Sequence, residues 1–220
     1  MARVVIFGVQ DFAQLACYYL RHDSEHEVVA FSVHEAYIPA GRTFEGLPVL
    51  PFERIEETCD RASHHFFAPL SQRRMGRLRE SVYRQIKEKG YPLISYVSTR
   101  ATVFPGARIG ENCFVLEDNT IQPFVEIGDD VVLWSGNHIG HHSVIGDHVL
   151  FTSHVVLSGH CVVEPYSFLG VNATVRDRVR IAEGSLIGMA AVVTRDTEPW
   201  GVYKGNPARK GETLSRELDP

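Results

Sequence analysis

Every sixth residue from Val97 to Val193 is apolar, and that beat constrains the chain more than any other feature of its 220 residues. It runs through Val97, Val103, Ile109 and Val115 and continues unbroken to Ile181, Ile187 and Val193. Four residues after each apolar one sits a small or slender residue, as at Ala107, Cys113, Val125, Ser143, Cys161 and Ala173. Asn119 and Asn137 depart from that rule. Glycine often follows the apolar residue, as at Gly110, Gly128, Gly140, Gly146, Gly170 and Gly188. A period of six matches neither the ~3.6 of an α-helix nor the ~2 of a strand with two faces. It fits a hexapeptide β-solenoid, in which each short strand points one aliphatic side chain into a narrow interior and then turns a corner.

The first 96 residues carry no such beat. Val4 to Phe7 reads as a buried strand ending at Gly8, Asp11 to Leu20 as a helix, and Glu27 to Val33 as a second strand, the start of a βαβ unit. A dinucleotide site is excluded, because the turn Gly8-Val9-Gln10-Asp11-Phe12 lacks the GxGxxG spacing. A short strand at 46–50, a short helix at 52–59 and a strand at 65–68 follow. Ser71 can cap a helix that runs to Lys89 and closes at Gly90. Met75, Leu78, Val82 and Ile86 form its buried stripe, and its arginines, Arg73, Arg74, Arg77, Arg79 and Arg84, read as a solvated face. No linker rich in Gly or Ser precedes the repeat, so the two parts are expected to pack firmly. The divisions read 1–96 for an α/β, Rossmann-like domain, 97–198 for the solenoid and 199–220 for a cap or tail.

Composition narrows the class of partner. With 27 acidic against 22 basic residues the net charge is -5 and the pI about 6.1, which speaks against a non-specific nucleic-acid binder. No apolar run approaches the ~20 residues of a membrane span. The N-terminus lacks the apolar core and cleavage site of a secretory signal. The four cysteines, Cys17, Cys59, Cys113 and Cys161, form no CxxC pair and read as buried thiols, so a cytoplasmic location is expected.

Three strings carry a family resemblance: the hexads themselves, Ile139-Gly140-His141-His142-Ser143-Val144-Ile145-Gly146, and Gly205-Asn206-Pro207-Ala208-Arg209 just past the last hexad. With them the chain resembles the left-handed parallel β-helix acyltransferases. Among these it is most similar to bacterial sugar acyltransferases with a small α/β domain before the solenoid, which include sialic acid O-acetyltransferase-like proteins and N-acetyltransferases of nucleotide-linked amino sugars in surface-glycan synthesis. The resemblance implies triangular coils of three hexads and a homotrimer with sites shared between copies. It also implies acetyl-CoA or another acyl-CoA as co-substrate, a nucleotide-linked or free sugar as acceptor, and no metal.

If three hexads make a coil, residues eighteen apart stack. Gly159 then lies over His141, His160 over His142, and Gly136, His154 and Asn172 form one column. Six of the eleven histidines, His138, His141, His142, His148, His154 and His160, fall in this short stretch. Acyl transfer from a thioester needs a base for the acceptor's proton, a donor for the oxyanion and a means of alignment. By the motif His141 is the candidate base, and Gly159 offers a backbone N–H to the oxyanion. His142 stands where some relatives have the acidic residue that orients the base. Asn137, His138, His142 and His154 are candidates for acceptor contacts. Gly8 and Glu35 match the family's nucleotide-binding positions, and Gly188, Ala190, Lys204 and Arg209 its coenzyme A positions. Trp134, a large aromatic on the outside, is expected in a subunit interface. Two further readings stand beside this one: a zinc-dependent solenoid enzyme like the carbonic anhydrase of that fold, and a non-catalytic scaffold.

Overall fold

The structure is a computed structural model describing residues 1–220. Its N-terminal part is a five-stranded sheet of β1 (Arg3–Phe7), β2 (Glu27–Val33), β3 (Thr43–Phe44), β4 (Leu47–Pro51) and β5 (His64–Phe67), in the order β3-β4-β2-β1-β5. Four strands are parallel, and only the short β3 pairs antiparallel, at the edge. Helix α1 (Asp11–His22) makes the crossover from β1 to β2 and buries Ala13, Ala16, Cys17 and Leu20. This is the βαβ unit expected from the hydrophobic spacing.

Helix α2 (Arg77–Glu88) starts later than Ser71. Arg74, Met75 and Gly76 are left-handed, with φ of 53°, 51° and 79°, and this breaks the helix before Arg77. The shift re-aims the side chains. Met75 is buried against Leu186 and Val202 at the end of the solenoid, whereas Leu78 is exposed. The stripe expected to include Leu78 therefore reduces to Val82 and Ile86, and the arginine face is not all solvated, because Arg79 is fully buried.

From Tyr96–Val97 to Val192–Val193 the chain forms seventeen two-residue strands. They stack with partners eighteen residues on, as in His138↔Val156 and Val144↔Val162, and build three parallel sheets. The first face holds the strands at 96, 114, 132, 150, 168 and 186. The second holds those at 102, 120, 138, 156, 174 and 192, and the third those at 108, 126, 144, 162 and 180. The result is a left-handed parallel β-helix behind a small α/β domain. Its interior is the aliphatic series plus the small residues, with Cys113, Ser143, Cys161 and Ala173 all closed to solvent.

The corners explain the histidines in part. From Asn112 to Ala190, every sixth residue is left-handed, fourteen in a row. Outside glycine that conformation is tolerated best by Asn, Asp and His. His142, His148, His154 and His160 occupy four consecutive corners, with φ between 58° and 61°. Their concentration is thus a backbone requirement as well as a chemical opportunity. His138 and His141 do not sit at left-handed positions.

The α/β domain is docked on the first face. Outward-facing Phe114, Leu116, Val132 and Leu150 share one core with Val4, Ile6, Phe31 and α1. Trp134 packs edge-on to Phe12 of α1, with ring centres 5.5 Å apart, so it serves the contact between domains. Along the corner between the third and first faces, buried Asp130 receives Arg79 Nε at 3.0 Å, Asn112 Nδ2 at 2.7 Å and His148 Nδ1 at 2.8 Å. His148 is therefore part of the domain junction and not of an open histidine cluster.

Asp23, just beyond α1, closes the junction at the other end. Its carboxylate accepts from Tyr96 Oη at 2.5 Å, Ser98 Oγ at 3.0 Å, and Thr99 through its N–H and hydroxyl. The Thr99 and Tyr96 hydroxyls hold the carboxyl well below the usual carboxylate range, at about 2. A depressed carboxylate stabilises the fold above its unfolded pKa of about 4 and loses that contribution as pH falls through the folded value. Asp23→Asn is therefore expected to lower the melting temperature at pH 7, by an amount that shrinks as pH falls from about 4 to about 2. Thermal melts of both proteins across that window check this.

The tail completes the prism. Gly201–Lys204 extends the first face by pairing parallel with Leu186–Ile187, and Arg209–Leu214 returns antiparallel to it. Between them, Val192 N donates to Gly205 O at 3.0 Å and Ala208 N to Val192 O at 2.8 Å, so the Gly205–Arg209 string caps the last coil. No helix is long and apolar enough to cross a membrane.

Candidate active site

His141 belongs to the corner that joins the second and third faces. That corner lies opposite the first face and so across the prism from the docked α/β domain. Strand His138–Ile139 leads in, and Val144–Ile145 leads out. Gly140 is required here by crowding: a Cβ on it would lie 2.5 Å from Ser158 C and 2.6 Å from Gly159 N. Gln122 of the coil below accepts from His141 N at 2.8 Å, and His160 N of the coil above donates to His141 O at 2.9 Å. The backbone that carries the imidazole is thus fixed from both sides, while the ring itself is exposed.

The ring lies against Gly159. A Cβ at position 159 would fall 2.8 Å from His141 Cε1 and 2.9 Å from its Nε2, so only glycine leaves the imidazole its place. Gly159 N–H makes no hydrogen bond within the chain and is free for a ligand oxygen. His141 Nδ1 meets His142 Nδ1 at 3.1 Å. One of these nitrogens must carry the proton and the other the lone pair. If His141 is the donor, its Nε2 is left bare, as a base requires.

Around this pair His142 stacks on His160, with centres 4.9 Å apart and planes at 14°. Phe124 tilts against His142 from below at 4.7 Å. Partial desolvation and the neighbouring Arg178 guanidinium, with the His142 and His141 rings beside it, push the pKa of His160 down, so it favours the neutral ring. Val144, Val156 and Val162 are exposed beside the corner.

The other sequence candidates distribute along the solenoid. His138 projects from the middle of the second face. His154 sits on that face's far edge, its ring over Gly136, where a Cβ would lie 2.5 Å from Nδ1. The Gly136–His154–Asn172 column stands as the spacing predicts. Asn137 is a correction: it is buried, with Nδ2 donating to Trp134 O and Oδ1 accepting from Val155 N at 2.8 Å. Its amide holds adjacent coils together and does not reach an acceptor. Gly188 and Ala190 lie on the far corner column near the capped end. Lys204 and Arg209 line a cavity of about 390 Å³ with Lys210, Gly211 and Thr213, a cationic set suited to phosphate.

Gly8 and Glu35 lie apart from all of these, at the C-terminal ends of β1 and β2. Gly8 has φ of 124° and a Cβ there would sit 3.2 Å from that of Ala13, so glycine is needed for the tight entry into α1. Its N–H donates to Ser32 O at 2.9 Å and is not available to a phosphate. Glu35 is exposed and pairs with Arg54 at 3.3 Å. Sequence reasoning missed Gln122, which secures the base from the coil below. Its position nineteen before His141 was a usable signal.

Comparison with known proteins bears on the repeat and on the fold. Residues 106–139 and 126–159 match the family model described as bacterial transferase hexapeptide (six repeats). Together the two matches span residues 106–159 of the hexad run. A curated relative, 2,3,4,5-tetrahydropyridine-2,6-dicarboxylate N-acetyltransferase of Ligilactobacillus salivarius, is 38% identical over 58 residues, 26% of this chain and 25% of that protein. The chain matches its curated relatives over only 20 to 25% of their length. The solved structures align throughout. A histidine-to-asparagine mutant of perosamine N-acetyltransferase from Caulobacter crescentus, in complex with CoA and GDP-perosamine, superposes with a TM-score of 0.84 at 24% identity, covering 97% of this chain and 98% of that one. The acetyltransferase domain of PglB from Neisseria gonorrhoeae gives 0.83 at 18% identity, covering 96% and 100%. This hexapeptide-repeat protein therefore shares the whole two-part fold, not the solenoid alone.

Proposed function

We propose that the protein is an acyl-CoA-dependent acyltransferase, with acetyl-CoA as donor, that modifies an amino or hydroxyl group of a nucleotide-linked sugar for surface-glycan synthesis. The observation that carries this reading is the His141 imidazole seated on Gly159 with its Nδ1 tethered to His142. The structural relatives that match both parts of the chain include a perosamine N-acetyltransferase in complex with CoA and GDP-perosamine and the acetyltransferase domain of PglB.

His142 accepts the His141 Nδ1 proton, so Nε2 faces the acceptor bare. The acceptor nitrogen or oxygen attacks the thioester carbonyl carbon as its proton passes to Nε2. The Gly159 N–H holds the oxyanion. Collapse breaks the carbon–sulfur bond, and the imidazolium returns the proton to the departing coenzyme A thiolate. Lys204 and Arg209 supply charge for the coenzyme's phosphates. The C-terminal ends of β1 and β2, beside Glu35, are where an open α/β sheet receives a nucleotide.

The α/β domain covers the first face, so the nucleotide end and His141 of one chain are on opposite sides of the prism. A second copy that brings its own α/β domain toward this corner removes the difficulty. Phe124, Val144, Val156 and Val162, exposed around the corner, suit burial against that copy. A homotrimer with three shared sites satisfies both needs.

Coenzyme A release is measured against a panel of nucleotide-linked amino sugars and their unmodified sugars, with sedimentation to count chains per particle. Turnover with an amino- or hydroxyl-bearing acceptor, by a three-chain particle, is expected. Failure to bind any acyl-CoA in calorimetry overturns the reading.

A further inference from the structure

We propose that His141, His142 and His160 form a binding site for zinc or a similar divalent transition metal, and that filling this site switches the base off. One ring nitrogen from each of the three lies within 4.8 Å of the others. The first pair is already at a coordinating separation. The 3.1 Å between His141 Nδ1 and His142 Nδ1 compares with about 3.3 Å for two ligands on a tetrahedral zinc with ~2.0–2.1 Å bonds. His160 is exposed, and a small side-chain rotation brings its nitrogen in.

The backbone holds the set in place. His142 and His160 occupy the same corner of successive coils, at φ of 59° and 58°. The bond from His160 N to His141 O joins the two layers. These rings also differ from the other corner histidines. His148 has its Nδ1 on Asp130, and His154 lies over Gly136 in a column with no second histidine, whereas His142 and His160 stack on one another with their only ring hydrogen bond being that of His142 to His141. No carboxylate joins the cluster of three, so the donor set is all imidazole. That chemistry selects zinc, copper or nickel over magnesium or calcium. Arg178, next in the column, and Asp177 beside it are the charges that face His160, and they oppose one another.

The consequence follows from tautomers. A metal on His141 Nδ1 takes that nitrogen's lone pair and leaves the ring proton on Nε2, the nitrogen that must be bare to act as base. The neutral ring neither gains nor loses a proton; it changes which nitrogen carries it. The binding half of this inference is independent of the proposed function, and the inhibition half rests on it.

The test is zinc titration of tag-free protein by calorimetry, with cobalt substitution to read coordination from its visible absorption. The expected result is one zinc per chain and a tetrahedral cobalt spectrum. His160→Ala should weaken binding by about tenfold or more. In the transferase assay, zinc should inhibit the unaltered protein, a chelator should restore it, and whatever turnover His160→Ala retains should be insensitive to zinc. Absence of zinc binding, or binding unchanged in His160→Ala, overturns the site. Zinc binding as expected in a protein that turns over no acceptor upholds the site and overturns the transferase reading instead.

Discussion

Alanine in place of His141 is expected to lower kcat by about 10²–10⁴-fold while leaving the fold intact. The fold should hold because the ring is exposed and its only hydrogen bond is to His142, while Gln122 and His160 secure the corner through the main chain. The rate should fall because His141 is the ring that lies against Gly159, where the N–H waits for the oxyanion, whereas the His142 and His160 ring centres stand 5.3 and 5.1 Å from its own. Coenzyme A should still bind, so KM for the donor should move little while kcat collapses; such a split marks a group that acts in the transition state. A companion variant, His142→Glu, tests the tether. A carboxylate beside His141 favours its protonated form, so the acidic limb of the rate profile should move to higher pH. Steady-state rates with saturating acetyl-CoA across pH 5–9 check both. Full turnover in His141→Ala would remove the proposed mechanism.

The largest expected loss of stability comes from Arg79→Ala. Arg79 and Asp130 are both closed to solvent. The guanidinium also donates to Leu70 O at 3.2 Å, Gln72 Oε1 at 3.1 Å and His148 O at 2.9 Å, so it is saturated by groups from both domains. Removing it leaves the Asp130 carboxylate buried without its cation, and Leu70 O, Gln72 Oε1 and Asp130 O without a donor. Breaking a buried pair from one side costs about 3–5 kcal/mol. In a chain of this size that is a fall of roughly 6–20 °C in melting temperature. Arg79→Lys should recover little, because an ammonium cannot reproduce a planar fork that reaches five acceptor atoms. Replacing Arg79 and Asp130 together by apolar residues of similar volume should recover much more, since no charge is then stranded. Differential scanning calorimetry of the three proteins separates these outcomes. A melting temperature unchanged in Arg79→Ala would mean that the junction contributes nothing to the stability of the whole.

The solenoid was readable because its rule is local and repeats. One aliphatic residue in six, a slender one four later and a corner between them are demands each coil makes again, so seventeen hexads carry one message many times over. The same arithmetic brought Gly159 to His141 and His160 to His142, since stacking at eighteen is a property of the backbone and not of the side chains. The histidine concentration was visible but only half interpretable. Four of those residues answer to a left-handed corner, and the sequence does not mark which corner faces solvent and which faces the α/β domain. His148 and His142 occupy equivalent hexad positions, yet one is sealed against Asp130 and the other stands open beside the base. Asn137 misled for the mirror reason: a polar residue in a slender position reads as an exception with a purpose, and its purpose was to bond its own coil to the next.

By itself, then, the sequence determined the hexad rod, and with the three hexads per coil that the resemblance implied it also placed His141 beside Gly159, because stacking at eighteen then follows from the spacing. Only the tertiary structure decided which face the α/β domain covers, that Arg79 and Trp134 serve that contact, and that the His141 corner lies on the side left open. Those outcomes depend on pairings between residues 51 to 122 positions apart, such as Arg79 with Asp130 and Phe12 with Trp134, that occur once and follow no period. A contact made once leaves no rhythm in the chain, and only the packed molecule reveals it.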